Sequence, residues 1–405
     1  MNVRRQVAAV VVALPLFAAV AGAQSEGVPM LTPEQFVVLP WGWTPGDAEA
    51  LAGIRECGFN LAGFVNPEHL DLVAEAGLKA LVSDSGSHAD DAACSLSAAE
   101  IAQRLQATVG KVAGHPACFG YYLRDEPGAV AFPGLARWVA GLAVAAPGAL
   151  PYINLFPTYA SPQQLGAATY AEYVESYITT VKPPFISYDH YALMADGGLR
   201  DGYFQNLEAV RAAALRHRLP FWNCVLANAH FNYAEPSDAG LRFQLYTTLA
   251  YGGRGISYFT YFAPNVGNYR LAAVDQFGHP TATWERLRNV NLQLHRLGPT
   301  YVTLTSVNVF HHPEVPSGCS GLASSRFLTA VSGGDLLVGE FEGAAGQPYV
   351  LVVNKDLQHS TPYDVNGKTA GAVQWVNAYT GTHDPWGGEH KWLAPGQGML
   401  LALPR

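Results

Sequence analysis

Two carboxylates stand side by side at Asp125 and Glu126, after the apolar run CFGYYL and before Pro127. Adjacent carboxylates on a short turn repel, so one of them must hold its proton to higher pH than a free side chain does. A glutamate tuned in this way can donate a proton to a departing oxygen near neutral pH. The same pair could instead be structural, with Asp125 capping the next helix and Glu126 paired to Arg124. A third acid, Asp189, lies inside another apolar run, PFISYDHYAL at 184–193. A carboxyl group is costly there unless it is used or paired. Its readings are nucleophile or base, structural partner of His190, or hydrogen-bond partner of a ligand.

These acids need a scaffold, and the chain between 36 and 298 repeats one unit. A short apolar strand is followed by a loop, an amphipathic helix, and a glycine or proline before the next strand. The strands read FVVLPWGW, FNLAGFV, LKALVSD, CFGYYLRDEP, LPYINLF, PFISYDHYAL, LPFWNCVLAN and GISYFTYF. The helix after the third opens on a Ser97 to Glu100 capping box. Continuous apolar strands alternating with helices imply a parallel sheet covered on its outer face. Eight such units predict a (β/α)8 TIM barrel over residues 24–300, whose active site gathers at the C-terminal strand ends. A doubly wound sheet would want a Gly-rich turn after strand one, where WGWTP stands instead. Beyond residue 300, short alternating segments between Gly-rich turns predict a small antiparallel β-sandwich over 301–405, packed tightly on the barrel.

The barrel rule selects the polar and aromatic side chains near strand ends: Trp43, Asp125, Glu126, Asp189, His190, Tyr191, Trp222, Asn223, Asn228, Tyr258 and Tyr261. Flat aromatic faces can stack on sugar rings, and their polar tips can bond hydroxyls. Core packing is the competing role for each of them. Charged residues make up 14% of the chain and aromatic residues 11%, with a formal net charge of -8. Lys and Arg are scattered, which argues against nucleic acid as a partner. The weakly charged, ring-rich composition suits a neutral carbohydrate substrate. No early His-x-His exists, the other strand-end histidines are isolated, and the pair His311-His312 has no nearby acid at ligand spacing, so no metal and no cofactor are expected. Five widely spaced cysteines form no C-x-x-C pair and read as small buried side chains. At the start, Arg4 and Arg5 precede an apolar run ending in Ala21-Gly22-Ala23, the pattern of a cleavable signal peptide over 1–23. A secreted or periplasmic protein with no membrane span after cleavage is expected.

The segment HPACFGYYLRDEP at 115–127 resembles clan A, the superfamily of barrel glycoside hydrolases. There the acid/base glutamate ends strand four in an Asn-Glu-Pro turn. The resemblance implies hydrolysis of a glycosidic bond in a neutral oligo- or polysaccharide, with Glu126 as general acid/base and retention of configuration. His190 and Tyr191 resemble the His and Tyr that strand six supplies in that clan. Two departures stand out. Asp125 occupies the asparagine position and, when ionised, can only accept a hydrogen bond. The end of strand seven, FWNCVLANAH, carries no acid, so the partner carboxylate is Asp189, Glu235 or none. Two alternatives therefore remain open. One is a non-catalytic carbohydrate-binding barrel. The other is a substrate-assisted hexosaminidase that uses Asp125 and Glu126 alone.

Overall fold

A computed structural model describes residues 35–112 and 114–405. The expected signal segment lies outside the described residues. Eight strands form one parallel sheet: β1 Val37–Pro40, β2 Leu61–Val65, β3 Lys79–Val82, β4 Cys118–Asp125, β5 Leu150–Leu155, β6 Ile186–Asp189, β7 Phe221–Leu226 and β8 Gly255–Phe259. From β2 to β8 each strand pairs with its sequence neighbour, and β1 pairs with β8, so the sheet curls into the expected barrel. The ring closes between β1 and β2 through a backbone bridge of Trp43 with Phe64 and through one side chain. Asn60 donates from Nδ2 to the Phe36 carbonyl (2.8 Å) and accepts the Val38 N–H on Oδ1 (2.9 Å). Its own N–H reaches the Val38 carbonyl at 3.3 Å.

The barrel interior is packed solid. Val37, Leu39, Leu61, Phe64, Leu81, Tyr152, Phe185 and Trp222 form its own apolar cluster. The outward-facing strand residues belong instead to the larger core beneath the helices. The capping box read from sequence is present: Ser97 N–H donates to Glu100 Oε2 (2.8 Å) and Glu100 N–H to Ser97 Oγ (3.3 Å). No helix among the described residues is long and apolar enough to cross a membrane.

After helix Ala282–Tyr301 the chain builds an antiparallel sandwich. Its larger sheet contains β9 Thr305–His312, β11 Leu336–Glu342, β12 Pro348–Asn354, β14 Gln374–Val376, β15 His383–Pro385 and β17 Gly398–Ala402. The smaller contains β10 Leu328–Gly333, β13 Thr361–Gly367 and β16 Trp392–Leu393. The central strands β11 and β12 are apolar on both faces for a reason. Leu336, Val338, Val350 and Val352 fill the space between the two sheets. The alternate residues Leu337, Phe341, Leu351 and Val353 join the barrel's core, where the larger sheet lies on helix Asp238–Ala250. The approach is close enough to require glycine: a Cβ at Gly339 would stand 2.2 Å from the Ala250 carbonyl oxygen. All five cysteines are free thiols, three of them buried and Cys118 and Cys319 half-buried.

Candidate active site

Strands β4, β5 and β6 are neighbours, and their C-terminal ends bring Asp125, Asn154 and Asp189 together. Asn154 is the connector. Its Nδ2 donates to Asp189 Oδ1 (2.9 Å) and to Asp125 Oδ1 (3.2 Å), while its Oδ1 accepts from Ser187 Oγ (2.9 Å). Two acceptor-only carboxylates on one side and a hydroxyl on the other fix the amide's orientation. The Asn154 backbone carbonyl takes the Glu126 N–H at 2.8 Å. Glu126 itself has φ 42°, in the left-handed region that costs a side-chain-bearing residue about 1–2 kcal/mol. Backbone strain of this kind collects at functional sites.

The Glu126 carboxyl group faces that of Asp189 closely enough for each to bear on the other's ionisation. Three acids thus converge, and burial dominates their ionisation. It raises Asp125 to about 6, against hydrogen bonds from Asn154 and the Glu126 N–H that favour the anion. Glu126 rises to about 7 through burial and the adjacent Asp125 charge, while Asp189 opposes. Fully buried Asp189 is held well above the usual carboxylate range by burial, then by the charges of Glu126 and Asp125. Arg124 does not quench the cluster directly: its guanidinium bonds to Asp91 (2.7 Å) and to the Ala89 carbonyl (2.9 Å). Like charges gathered in one buried site oppose one another's ionisation, so Glu126 and Asp189 hold protons to higher pH than free carboxyl groups do.

An aromatic wall stands beside Asp189. Tyr159 and Tyr191 both feel its charge, and Tyr191 stacks on Phe259 with ring centroids 5.4 Å apart. Arg200 lies over the Tyr159 ring at 4.2 Å and donates to the Tyr233 hydroxyl at 3.1 Å. His230 stacks on Tyr269 at 4.7 Å and pairs through Nδ1 with Asn228 Oδ1 at 2.8 Å. Burial lowers its pKa to about 4, so its ring is neutral. Among the described residues no group of three or more His, Cys, Asp or Glu is arranged to hold a metal ion.

Of the residues singled out from sequence, Asp125, Glu126 and Asp189 come together, with Tyr191 beside them. Asn228 sits buried past β7 with His230. Trp43 stands exposed on the loop after β1. Six more lie outside the acid cluster. Trp222 faces inward but too deep: it packs on Phe185 in the barrel's apolar layers, across from Gly255 at the start of β8. Asn223 points to the helix layer and donates to Thr248 Oγ1 at 2.9 Å. Tyr258 also points outward and packs edge-on against Phe59. Tyr261 accepts from Trp284 Nε1 at 2.9 Å and shares the same Phe59. His190 turns away from the mouth toward Asn206 Oδ1 (3.0 Å), because successive strand residues face opposite sides. Glu235 is an exposed loop residue 3.4 Å from Arg270.

Sequence reasoning missed Asn154, Tyr159, Arg200 and Tyr233. Asn154 carried a usable signal, since it is a polar residue at the end of an apolar strand, as Asp189 is. The other three sit on loops, where no periodicity fixes direction.

No protein-family model and no curated protein sequence matches this chain. Solved structures match in fold. A glycoside hydrolase family 5 protein from Bacteroides vulgatus aligns with TM-score 0.56 and 12% identity, over 91% of this chain and 88% of that one. A structure described as a glycoside hydrolase gives TM-score 0.56 and 11% identity over 93% and 96%. A β-galactosidase from the psychrophilic Marinomonas ef1 is longer: this chain spans 60% of it, matching over 64% of its own length with TM-score 0.49 and 11% identity. At such identities the first two establish a shared fold, the barrel followed by its β-domain.

Proposed function

We propose that the protein hydrolyses glycosidic bonds, with Glu126 as general acid/base and Asp189 as its partner carboxylate. The observation that carries this reading is the gathering of Asp125, Glu126 and Asp189 around Asn154 at the C-terminal ends of β4, β5 and β6. The solved structures of like fold that are named as glycoside hydrolases agree with it.

In this mechanism the protonated Glu126 gives its proton to the departing glycosidic oxygen. The Asp189 carboxylate attacks the anomeric carbon, forming a glycosyl ester as the carbon–oxygen bond breaks. Glu126, now ionised, takes a proton from water, and the water oxygen displaces Asp189 to release the sugar. One proton shared between two acids is the state this cycle needs, because one must donate while the other attacks. Carboxyl groups that face each other across neighbouring strand ends suit the roughly 5 Å spacing of retaining enzymes better than the roughly 6.5–9.5 Å of inverting ones. Asn154 keeps Asp189 and Asp125 oriented throughout.

The test is kinetic. Glu126→Gln should lower kcat on aryl glycosides by about a thousandfold or more while the folded state persists by circular dichroism. Asp189→Asn should fall comparably and recover with added azide, yielding a glycosyl azide. Unchanged turnover in either variant removes that residue from its role, and an inverted anomer in the first-formed product removes the ester intermediate.

A second reading is favoured by the position of Asp125, whose carboxyl shares Asn154 with Asp189. Here Asp125 would orient a substrate 2-acetamido group and that group would be the nucleophile. Hydrolysis confined to 2-acetamido glycosides, with Asp189→Asn nearly as active as the wild type, would select this reading.

A further inference from the structure

Across the ring from β4 and β5, a second concavity opens between the loop after β1, helix Ala48–Glu56 and the long loop after β8. Its volume is about 1090 Å³. That exceeds the roughly 300–1,000 Å³ typical of a pocket for one small molecule. Phe259 and Trp41 form its inner wall, their rings edge to face at 5.4 Å. Phe259 also stacks on Tyr191, which stands beside Asp189. The stacked rings of Tyr191 and Phe259 therefore stand between the acid cluster and this cavity, and both lie at the strand ends.

The cavity's chemistry is selective. Trp41, Trp43, Phe262 and Trp284 supply flat faces. The carboxylates Asp47, Glu49, Glu56 and Asp275 line it, with no Lys, Arg or His. Asp47 and Asp275 are engaged by backbone N–H groups, which leaves Glu49 and Glu56 to meet an incoming group. Independently, six aromatic side chains are exposed among the described residues. Four of them, Trp43, Tyr159, Phe231 and Phe277, stand on the loops after β1, β5, β7 and β8. Rings this exposed, from 38% at Tyr159 to 84% at Phe277, gain less from the core than buried ones, and four on strand-end loops offer stacking faces around the mouth.

We infer that this cavity binds the further units of an extended saccharide chain without acidic groups, which runs from Glu126 across the mouth to Trp43. The inference rests on the hydrolytic reading only for which bond is cut; the binding itself does not need catalysis. Aromatic faces hold the rings, and the carboxylates accept hydroxyl or ammonium hydrogen bonds while repelling uronate units.

Calorimetry on the Glu126→Gln protein tests it, with β-1,4-linked xylo-, manno- and chito-oligosaccharides of one to six units and oligogalacturonides as the anionic series. At least one uncharged series should gain tenfold or more in affinity between one unit and four. Adding Trp43→Ala, a change at an exposed position, should remove most of that gain. The galacturonides should stay weak until Glu49→Lys is introduced. Affinity independent of length in every series, or a length gain untouched by Trp43→Ala, overturns the inference. Wild-type protein that binds with the expected length dependence but cleaves nothing supports the cavity's role and rejects the hydrolytic reading. Wild-type protein that cleaves aryl monoglycosides yet shows no length gain does the reverse.

Discussion

Asp125 and Glu126 keep their protons in the folded protein beyond the pH at which an unfolded chain releases them. Between about pH 4 and pH 7 the native state therefore binds more protons than the unfolded one. Native stability from these groups is present in acid and falls as pH rises through their folded values, the opposite of a salt-bridged carboxylate. Asp125→Asn and Glu126→Gln should each raise Tm at pH 8, by an amount on the order of 2 kcal/mol in stability, and do little at pH 4. Thermal scans at the two pH values measure this directly, and equal shifts at both would show that the acids are not held protonated. The same residues mark the extent of what the sequence discloses at this scale. Asp125, Glu126 and Asp189 were visible because acids in apolar strands need a reason. The roles offered to Trp222, Asn223, Tyr258 and His190 meet a geometric obstacle: being near a strand end says nothing about depth or about which face the side chain takes. Strand parity counted from Asp189 would already have turned His190 outward.

At the scale of elements, the units legible in the sequence were those with strong periodicity. All eight barrel strands lie within the segments read from their apolar runs, and the Ser97 capping box forms as its spacing requires. The seam of the barrel was not legible. Nothing in the run FNLAGFV announces that the Asn60 amide would stand in for ladder hydrogen bonds between β1 and β2. Replacing it strands two buried backbone groups, so Asn60→Ala should cost about 2–4 kcal/mol in denaturant unfolding without touching the acid cluster. A loss below about 0.5 kcal/mol would mean that water or neighbouring backbone closes the ring instead. Gly339 is the corresponding constraint between layers. Gly339→Ala pushes a methyl group into the Ala250 carbonyl, and overpacking of that kind costs about 1–3 kcal/mol.

On the scale of the whole molecule, barrel and sandwich share one core. Helix Asp238–Ala250 is buried along nearly its whole length, with Leu241, Phe243, Leu245, Tyr246 and Leu249 enclosed. From its inner side, Gln244 accepts the Leu226 N–H (2.9 Å) and donates to the Leu226 carbonyl (3.0 Å), gripping the end of β7. The sandwich thus braces the helix that braces a strand of the site. A chain ended at residue 304 should expose that apolar face, bind a hydrophobic dye and elute as aggregates in size-exclusion chromatography. A monodisperse truncated chain with wild-type circular dichroism would show the sandwich to be dispensable to the barrel.

The thiols carry a practical corollary. With all five thiols unpaired, no disulfide contributes to the fold, and no thiol oxidant or disulfide isomerase has a step to perform. Whatever compartment the chain is destined for, a reducing cell interior suffices to manufacture it, and reductant in the storage buffer protects rather than dismantles it.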